Sequence, residues 1–316
     1  MVAKCMHLNL GGTDNGWRTM MQVLTFNVGL LDLKIGRIKI AEVPYRDERL
    51  PYIVDALKRS EADVVCLQEV FSVQHCELLT KTLREVYPHF VRHDNGSRLR
   101  LSHGLLTLSK FPVKRSAFVP FVNAPRFERF WIRRGALAAT MDVGADESPL
   151  NIVNVHTTSG GRGGSETAAA DSFRDMQIGE LHAVASALPG RTLICGDFNA
   201  GPEASPKNYQ TILSKGYIDA FALLHPGAAG VSPAVTWDPT NELNDQTGRF
   251  ANSPPQRVDH VFLNGAAMAT LEATETRIEF DAPLVPAAGK TVTLSDHFGL
   301  CAVLEARRTT LPQQTR

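Results

Sequence analysis

Near the C-terminus an acid and an imidazole stand side by side, Asp296 and His297, in the string Leu294-Ser295-Asp296-His297-Phe298-Gly299. A histidine with carboxylates close by can take a proton from water, because its ordinary pKa lies near neutrality. An adjacent Asp-His pair specifies little by itself. Its weight comes from other polar residues that the chain sets at the ends of apolar runs: Asn27, Glu69, His156, Asp197 with Asn199, and Asp259. Each has a bland alternative, a turn former for Asn27 and a solvated strand end for Glu69. Together they are two amides, several carboxylates and two imidazoles. Carboxylates and amides are donors that a hard cation such as Mg²⁺ takes. The imidazoles suit a base and a donor to developing charge.

Alternating or continuous apolar runs must carry these residues. Residues 21–28 alternate, are rich in β-formers, and deliver Asn27. Residues 64–70 form a buried run that ends at Gln68 and Glu69, and 191–199 ends at Asp197 and Asn199 shortly before Pro202. Residues 135–141 and 149–156 read as paired strands, with Asp146 and Glu147 in their turn and His156 at the far end. Asp259 interrupts the apolar face of a strand over 257–263, and 294–304 carries Asp296 and His297. Further strands are expected at 105–109 and, at a sheet edge, 270–281; helical spacing marks 49–59, 73–87 and 168–188. Residues 30–47 read as a loop. The glycines around Arg162 make a flexible loop that lacks the Gly-Lys-Ser/Thr ending of a Walker A motif. Strand ends along one sheet edge fall together in space, so the polar ends are expected to converge.

The chain has 316 residues, 33 of each charge sign and 43% apolar content. It shows no repeat and no break in composition, so one domain over 21–305 is expected, with a loose arm at 1–20 and a polar tail at 306–316. Zero net charge weighs against a protein that neutralises many phosphates. No run reaches the ~18 apolar residues of a membrane span. The first twenty residues hold His7, Asn9, Asp14 and Arg18 and no apolar signal core, which points to the cytoplasm unless a leader has been removed. Five cysteines in no framework spacing, three of them inside apolar runs, suit buried thiols in a reducing compartment.

The strings Thr25-Phe26-Asn27-Val28, Leu67-Gln68-Glu69-Val70, Asn154-Val155-His156, Gly196-Asp197-Phe198-Asn199, Arg257-Val258-Asp259-His260 and Ser295-Asp296-His297 resemble, in order, the endonuclease/exonuclease/phosphatase superfamily, also called the deoxyribonuclease I-like fold. The resemblance implies an α/β (α+β) four-layer sandwich, two mostly antiparallel β-sheets flanked by helices. It implies hydrolysis of a phosphate ester by His-activated water, with Mg²⁺, Mn²⁺ or another divalent cation as Lewis acid. By the same resemblance Glu69 is the principal metal ligand and Asn27 lies beside the metal or the phosphate. His297 is the general base and Asp259 its orienting partner. Asp197 and Asn199 position the nucleophile and a phosphate oxygen or a second cation, and Asp296 is an acidic helper in the metal shell; His297 and Asp197 are counted with the metal's surroundings. His156 stabilises charge on the phosphate. Gly29 departs from the Asp that some abasic-site nucleases carry there, which weighs against that branch.

Looser strings are similar to the neutral sphingomyelinase branch: Leu108-Ser109-Lys110-Phe111-Pro112, Arg134-Gly135-Ala136-Leu137-Ala138 and Phe280-Asp281-Ala282-Pro283. They imply a phospholipid substrate and headgroup release, favoured over nucleic acid, with transient contact to a membrane surface. Phe127, Phe130 and Trp131 beside arginines supply an interfacial surface on that reading, or core aromatics on the other. The alternatives are a Mg²⁺-dependent nuclease using Arg126, Arg129, Arg133, Arg134 and Arg162 on phosphates, an inositol-phosphate phosphatase, and a silent binding module.

Overall fold

Both faces of the central strands are apolar, so they need cover on both sides. The Val64–Gln68 strand is buried at every position. In Met20–Asn27 the alternate residues divide: Val23 packs with Ile152, Leu193 and Val261 of the opposing sheet, whereas Leu24 and Phe26 pack outward with Ile53 and Leu57 of the Arg46–Arg59 helix. The computed structural model accordingly shows two six-stranded sheets face to face, with helices on the outer surfaces. It describes residues 20–35, 38–93, 101–144, 148–160, 164–226, 234–244 and 253–307.

One sheet runs Leu271–Glu279, Gly299–Ala306, Met20–Asn27, Val64–Gln68, Leu106–Ser109, His89–Val91. The other runs Ile218–Asp219, Asp259–Leu263, Arg191–Asp197, Leu150–His156, Gly135–Met141, Val113–Pro120. Each is antiparallel except at its centre, where Met20–Asn27 pairs in parallel with Val64–Gln68 and Leu150–His156 with Arg191–Asp197. A buried polar clamp joins the sheets: Gln68 Nε2 donates to Asn154 Oδ1 at 2.8 Å, and Asn154 Nδ2 donates to the carbonyl of Leu67 at 3.0 Å. Its amide donors fix the relative position of the layers, although Gln68 Oε1 has no hydrogen-bond partner. No helix among the described residues is long and apolar enough to cross a membrane.

The structure departs from the sequence reading in four places. Residues 30–47 are not all loop: Asp32–Ile35 pairs with Ile38–Glu42, and the next helix starts at Arg46. The helix expected over 73–87 stops at Thr82 and the chain turns through 83–86. Asp259 opens its strand instead of interrupting it. Residues 294–298 are not strand, because their polar groups are bonded outside the sheet, as described below. The arm up to residue 19, the tail from 308, Asp146, Glu147 and Arg162 lie outside the described residues.

Candidate active site

Strand register does most of the assembly. His156 is the parallel partner of Asp197, and Asp197 is the antiparallel partner of Asp259, so three polar ends form a row across one sheet. In the other sheet Asn27 pairs with Gln68, which sets Glu69 just past the rim. Glu69 and Asn199 hold left-handed backbone, φ 63° and 47°. For a residue with a Cβ that conformation costs about 1–2 kcal/mol, and outliers of this kind gather at functional sites.

The loop bearing Asp296 and His297 is tied down from three sides. Ser295 Oγ donates to the Asn27 carbonyl at 2.7 Å, and Asn241 Nδ2 donates to the Ser295 carbonyl at 3.0 Å. Arg49, fully buried, donates to the carbonyls of Val28, Gly29 and Leu294. Burial lowers the Arg49 pKa to about 10, with Asp296 and Glu69 opposing. Gly29 takes φ 54°, and a Cβ on it would collide with Asp296 Oδ1 and Ser295 Oγ. An acidic side chain at position 29 is therefore incompatible with Asp296 as placed.

The row and the loop meet at His297. Its Nδ1 lies 2.9 Å from Asp259 Oδ2, and its Nε2 lies 3.8 Å from Asp197 Oδ2. Asp197 Oδ2 also accepts from Asn27 Nδ2 at 3.0 Å and contacts His156 Nε2 at 3.2 Å, while its Oδ1 accepts from the Asn199 backbone N–H at 2.9 Å. Thr236 Oγ1 accepts from the backbone N–H groups of Val258 and Asp259, fixing the start of that strand. Burial opposes ionisation of Asp197, but His156 and His297 hold its carboxyl far below the usual range. Burial raises the Asp259 carboxyl. Burial would lower His297, yet Asp259 and Asp197 raise it to about 10. His156 is lowered by burial and by Arg134.

Glu69 differs from these groups. Its side chain makes no hydrogen bond among the described residues, and burial together with the Asp296 carboxylate pushes it up to about 7. Asp296 Oδ1 lies 3.1 Å from Ser295 Oγ, whose one proton is already shared with the closer Asn27 carbonyl at 2.7 Å. Two carboxylates in each other's field, short of donors, are a set that a hard cation satisfies. Ligand atoms of Asp197, Asp259 and His297 also lie within 4.8 Å of one another. In that cluster His297 Nδ1 is spent on Asp259 and Asp197 accepts from Asn27, although Asp259 Oδ1 has no hydrogen-bond partner; the Glu69–Asp296 side, with fewer donors, fits a cation better. Asn27 keeps its oxygen on the Gly29 N–H at 3.1 Å.

All eight residues singled out in the sequence thus belong to one connected region. Arg49, Asn241 and Thr236 went unnoticed in it. For Arg49 a signal existed, since it stands four residues before Ile53 on the apolar side of its helix. Thr236 and Asn241 come from irregular segments and carried none. Arg134, which the sequence offers as a phosphate contact, is 5% exposed; its Nε and Nη1 have no hydrogen-bond partner, and its ion-pair contact is Glu128 at 3.6 Å.

Comparison with known proteins agrees with this architecture. A putative neutral sphingomyelinase of Drosophila melanogaster is 26% identical over 287 residues, 87% of this chain and 61% of its own length. An inositol phosphosphingolipids phospholipase C of Schizosaccharomyces pombe is 24% identical over 299 residues, covering 86% of this chain and 67% of that protein. The chain thus spans about three fifths of the Drosophila relative. Sphingomyelinase C from Streptomyces griseocarneus superposes with a TM-score of 0.67 at 21% identity, over 90% of this chain and 99% of that one, which is a likeness of fold. The sequence profile of the Endonuclease/Exonuclease/phosphatase family matches residues 24–297, most of the chain, and the protein belongs to that family.

Proposed function

We propose that the protein hydrolyses a phosphodiester of a sphingolipid type, releasing the phosphorylated headgroup. The observation that carries the chemistry is the His297–Asp259 pair, 2.9 Å apart, beside two carboxylates short of donors. Asp259 holds Nδ1–H and leaves Nε2 as the proton-accepting atom. Asp197 stands 3.8 Å from that Nε2, in position to hold the attacking water. His156 spends Nε2 on Asp197, so it positions that carboxylate and keeps it ionised. Arg134 offers unpartnered N–H groups in the electrostatic range of Glu69 and His156, which suits a phosphate oxygen. A divalent cation held by Glu69 and Asp296 would supply Lewis-acid polarisation of the phosphate and would oppose the carboxylates that keep His297 protonated.

The substrate class is supported by relatives named for sphingolipid phosphodiesters. A nuclease is the second reading, favoured by the arginines at 126, 129, 133 and 134. Purified protein is incubated with sphingomyelin micelles, inositol phosphosphingolipid micelles and plasmid DNA, each with Mg²⁺ and with EDTA. Headgroup release from a lipid, abolished by EDTA, is the expected result. Nicked plasmid with intact lipid would overturn the substrate assignment in favour of the nuclease.

A further inference from the structure

The short helix Arg126–Trp131 reads Arg-Phe-Glu-Arg-Phe-Trp. The dipeptide Arg-Phe recurs after three residues, about one helical turn, so both copies lie on one face. That face is in solvent: Phe127 is 44% and Phe130 50% exposed, and Arg126 and Arg129 are exposed beside them. These aromatics are therefore not core, in contrast to Phe121, which is buried. Glu128, between the copies, turns inward and accepts from Thr158 Oγ1 at 2.7 Å, two residues beyond His156. One face of the helix is thus tied to the segment that follows His156, and the other carries aromatic rings and guanidinium groups outward.

The preceding loop adds Val122, at 71% the most exposed of the large apolar residues described. It is held out: Glu180 accepts from the backbone N–H groups of Val122 at 2.7 Å and Asn123 at 2.9 Å. Apolar side chains fixed in solvent beside arginines match a bilayer surface, where rings enter the acyl boundary and cations meet phosphates. The helix has no exposed acid to oppose that contact, although the chain as a whole is neutral.

We propose that Val122, Phe127 and Phe130, flanked by Arg126 and Arg129, form the surface on which the enzyme docks to a phospholipid bilayer. The inference rests on the lipid reading of the active site, and it places that site at the membrane. Its test separates docking from catalysis. Wild type, the double variant Phe127→Ser/Phe130→Ser and the double variant Arg126→Gln/Arg129→Gln are sedimented with phosphatidylcholine vesicles, pure or with a minority of phosphatidylserine. The same proteins are assayed on sphingomyelin incorporated into vesicles of those two compositions and on the soluble diester bis(p-nitrophenyl) phosphate. The serine variant is expected to lose vesicle binding and vesicle hydrolysis at least about tenfold, with soluble turnover and melting temperature unchanged. The glutamine variant is expected to weaken binding chiefly to the phosphatidylserine vesicles. Unchanged vesicle binding in the serine variant would overturn the proposal, as would wild-type sedimentation no greater than without vesicles. A larger particle in solution that the serine variant dissolves would assign the face to a second copy instead. Wild type that binds vesicles through these residues yet hydrolyses no lipid would sink the substrate reading and leave the docking surface standing.

Discussion

Two Asp–His clusters lie on opposite faces of one strand, Asp259–Leu263, and they are built to different ends. Asp259 faces the active site, and its neighbour His260 turns to the other side, where it meets Asp219, Arg257 and Tyr209. In that second cluster the charges are matched. Asp219 Oδ2 accepts from Arg257 Nη1 at 2.7 Å and Tyr209 at 2.8 Å, and Oδ1 accepts from the Phe221 backbone N–H at 2.9 Å. His260 Nε2 reaches the Ala200 carbonyl at 2.8 Å, and aromatic rings of Phe198 and Phe262 enclose it. The active-site cluster has the same residue types but leaves Glu69 without a donor and two nitrogens of Arg134 unpartnered. The second network is not complete either, since Arg257 Nε has no hydrogen-bond partner, but its carboxylate is fully paired; a carboxylate left short of donors has capacity for a ligand. The residue type alone does not separate the two.

The largest effects separate them by activity. His297→Ala and Glu69→Gln are expected to lower hydrolysis by about 10²–10⁴-fold, the usual contribution of a positioned base or its equivalent. Steady-state rates with circular dichroism on the same samples check this, and near-wild-type turnover in either variant breaks the distinction. The second cluster should respond in stability. Asp219→Asn leaves Arg257 buried beside a neutral amide, and removing one partner of a buried pair costs about 3–5 kcal/mol. Urea unfolding measures it. A loss below about 1 kcal/mol would mean the network is incidental.

The third expectation concerns acid. Burial disfavours the Asp219 carboxylate, but His260 and Arg257 hold its pKa well below the ordinary 3.8. A carboxyl depressed in the folded state contributes stability above the unfolded pKa and loses it as pH falls through the folded value. The gap in unfolding free energy between wild type and Asp219→Asn should therefore hold near neutrality and narrow from about pH 5 toward pH 2. A gap that does not change with pH would assign the loss to packing instead of charge.

What the sequence made legible follows the same division. Strands announce themselves by apolar runs, and a polar residue that ends a run stands out, so Glu69, His156 and Asp197 are legible in the sequence. The two-sheet sandwich is implied by the resemblance that the ordered strings carry; the runs alone give strands without their arrangement. The resemblance gives Asp259 its role as the partner of His297 but gives none to its neighbour His260, because alternation sends neighbours to opposite faces and only tertiary contacts reveal what the second face holds. Arg49 stands out as an arginine on an apolar helix face, but what it does there is hidden, because it and Ser295 donate to backbone carbonyls, which leave no mark in the sequence. The hairpin of Asp32–Ile35 with Ile38–Glu42 was missed because its mixed, basic composition reads as loop. Exposure of Phe127 and Phe130 was undecidable from pattern, since the helix that bears them is six residues long.

The smallest effect is the sharpest discriminator, because it reverses sign between the clusters. Burial and Asp296 raise the Glu69 carboxyl from 4.5 to about 7. For an acid raised in the folded state, the native protein binds more protons over that window, so stability falls as pH rises from about 4.5 to about 7. Glu69→Gln removes the charge and with it the cost. In EDTA at pH above about 7 the variant should melt a few degrees higher than wild type, and the difference should vanish near pH 4.5. Added Mg²⁺ should reverse the order, since a cation that binds the native state stabilises only the protein that can hold it. Asp219→Asn should be less stable than wild type whether Mg²⁺ or EDTA is present. If Glu69→Gln melts below wild type in EDTA, Glu69 has a partner in the fold and the contrast between a filled cluster and an unfilled one is lost.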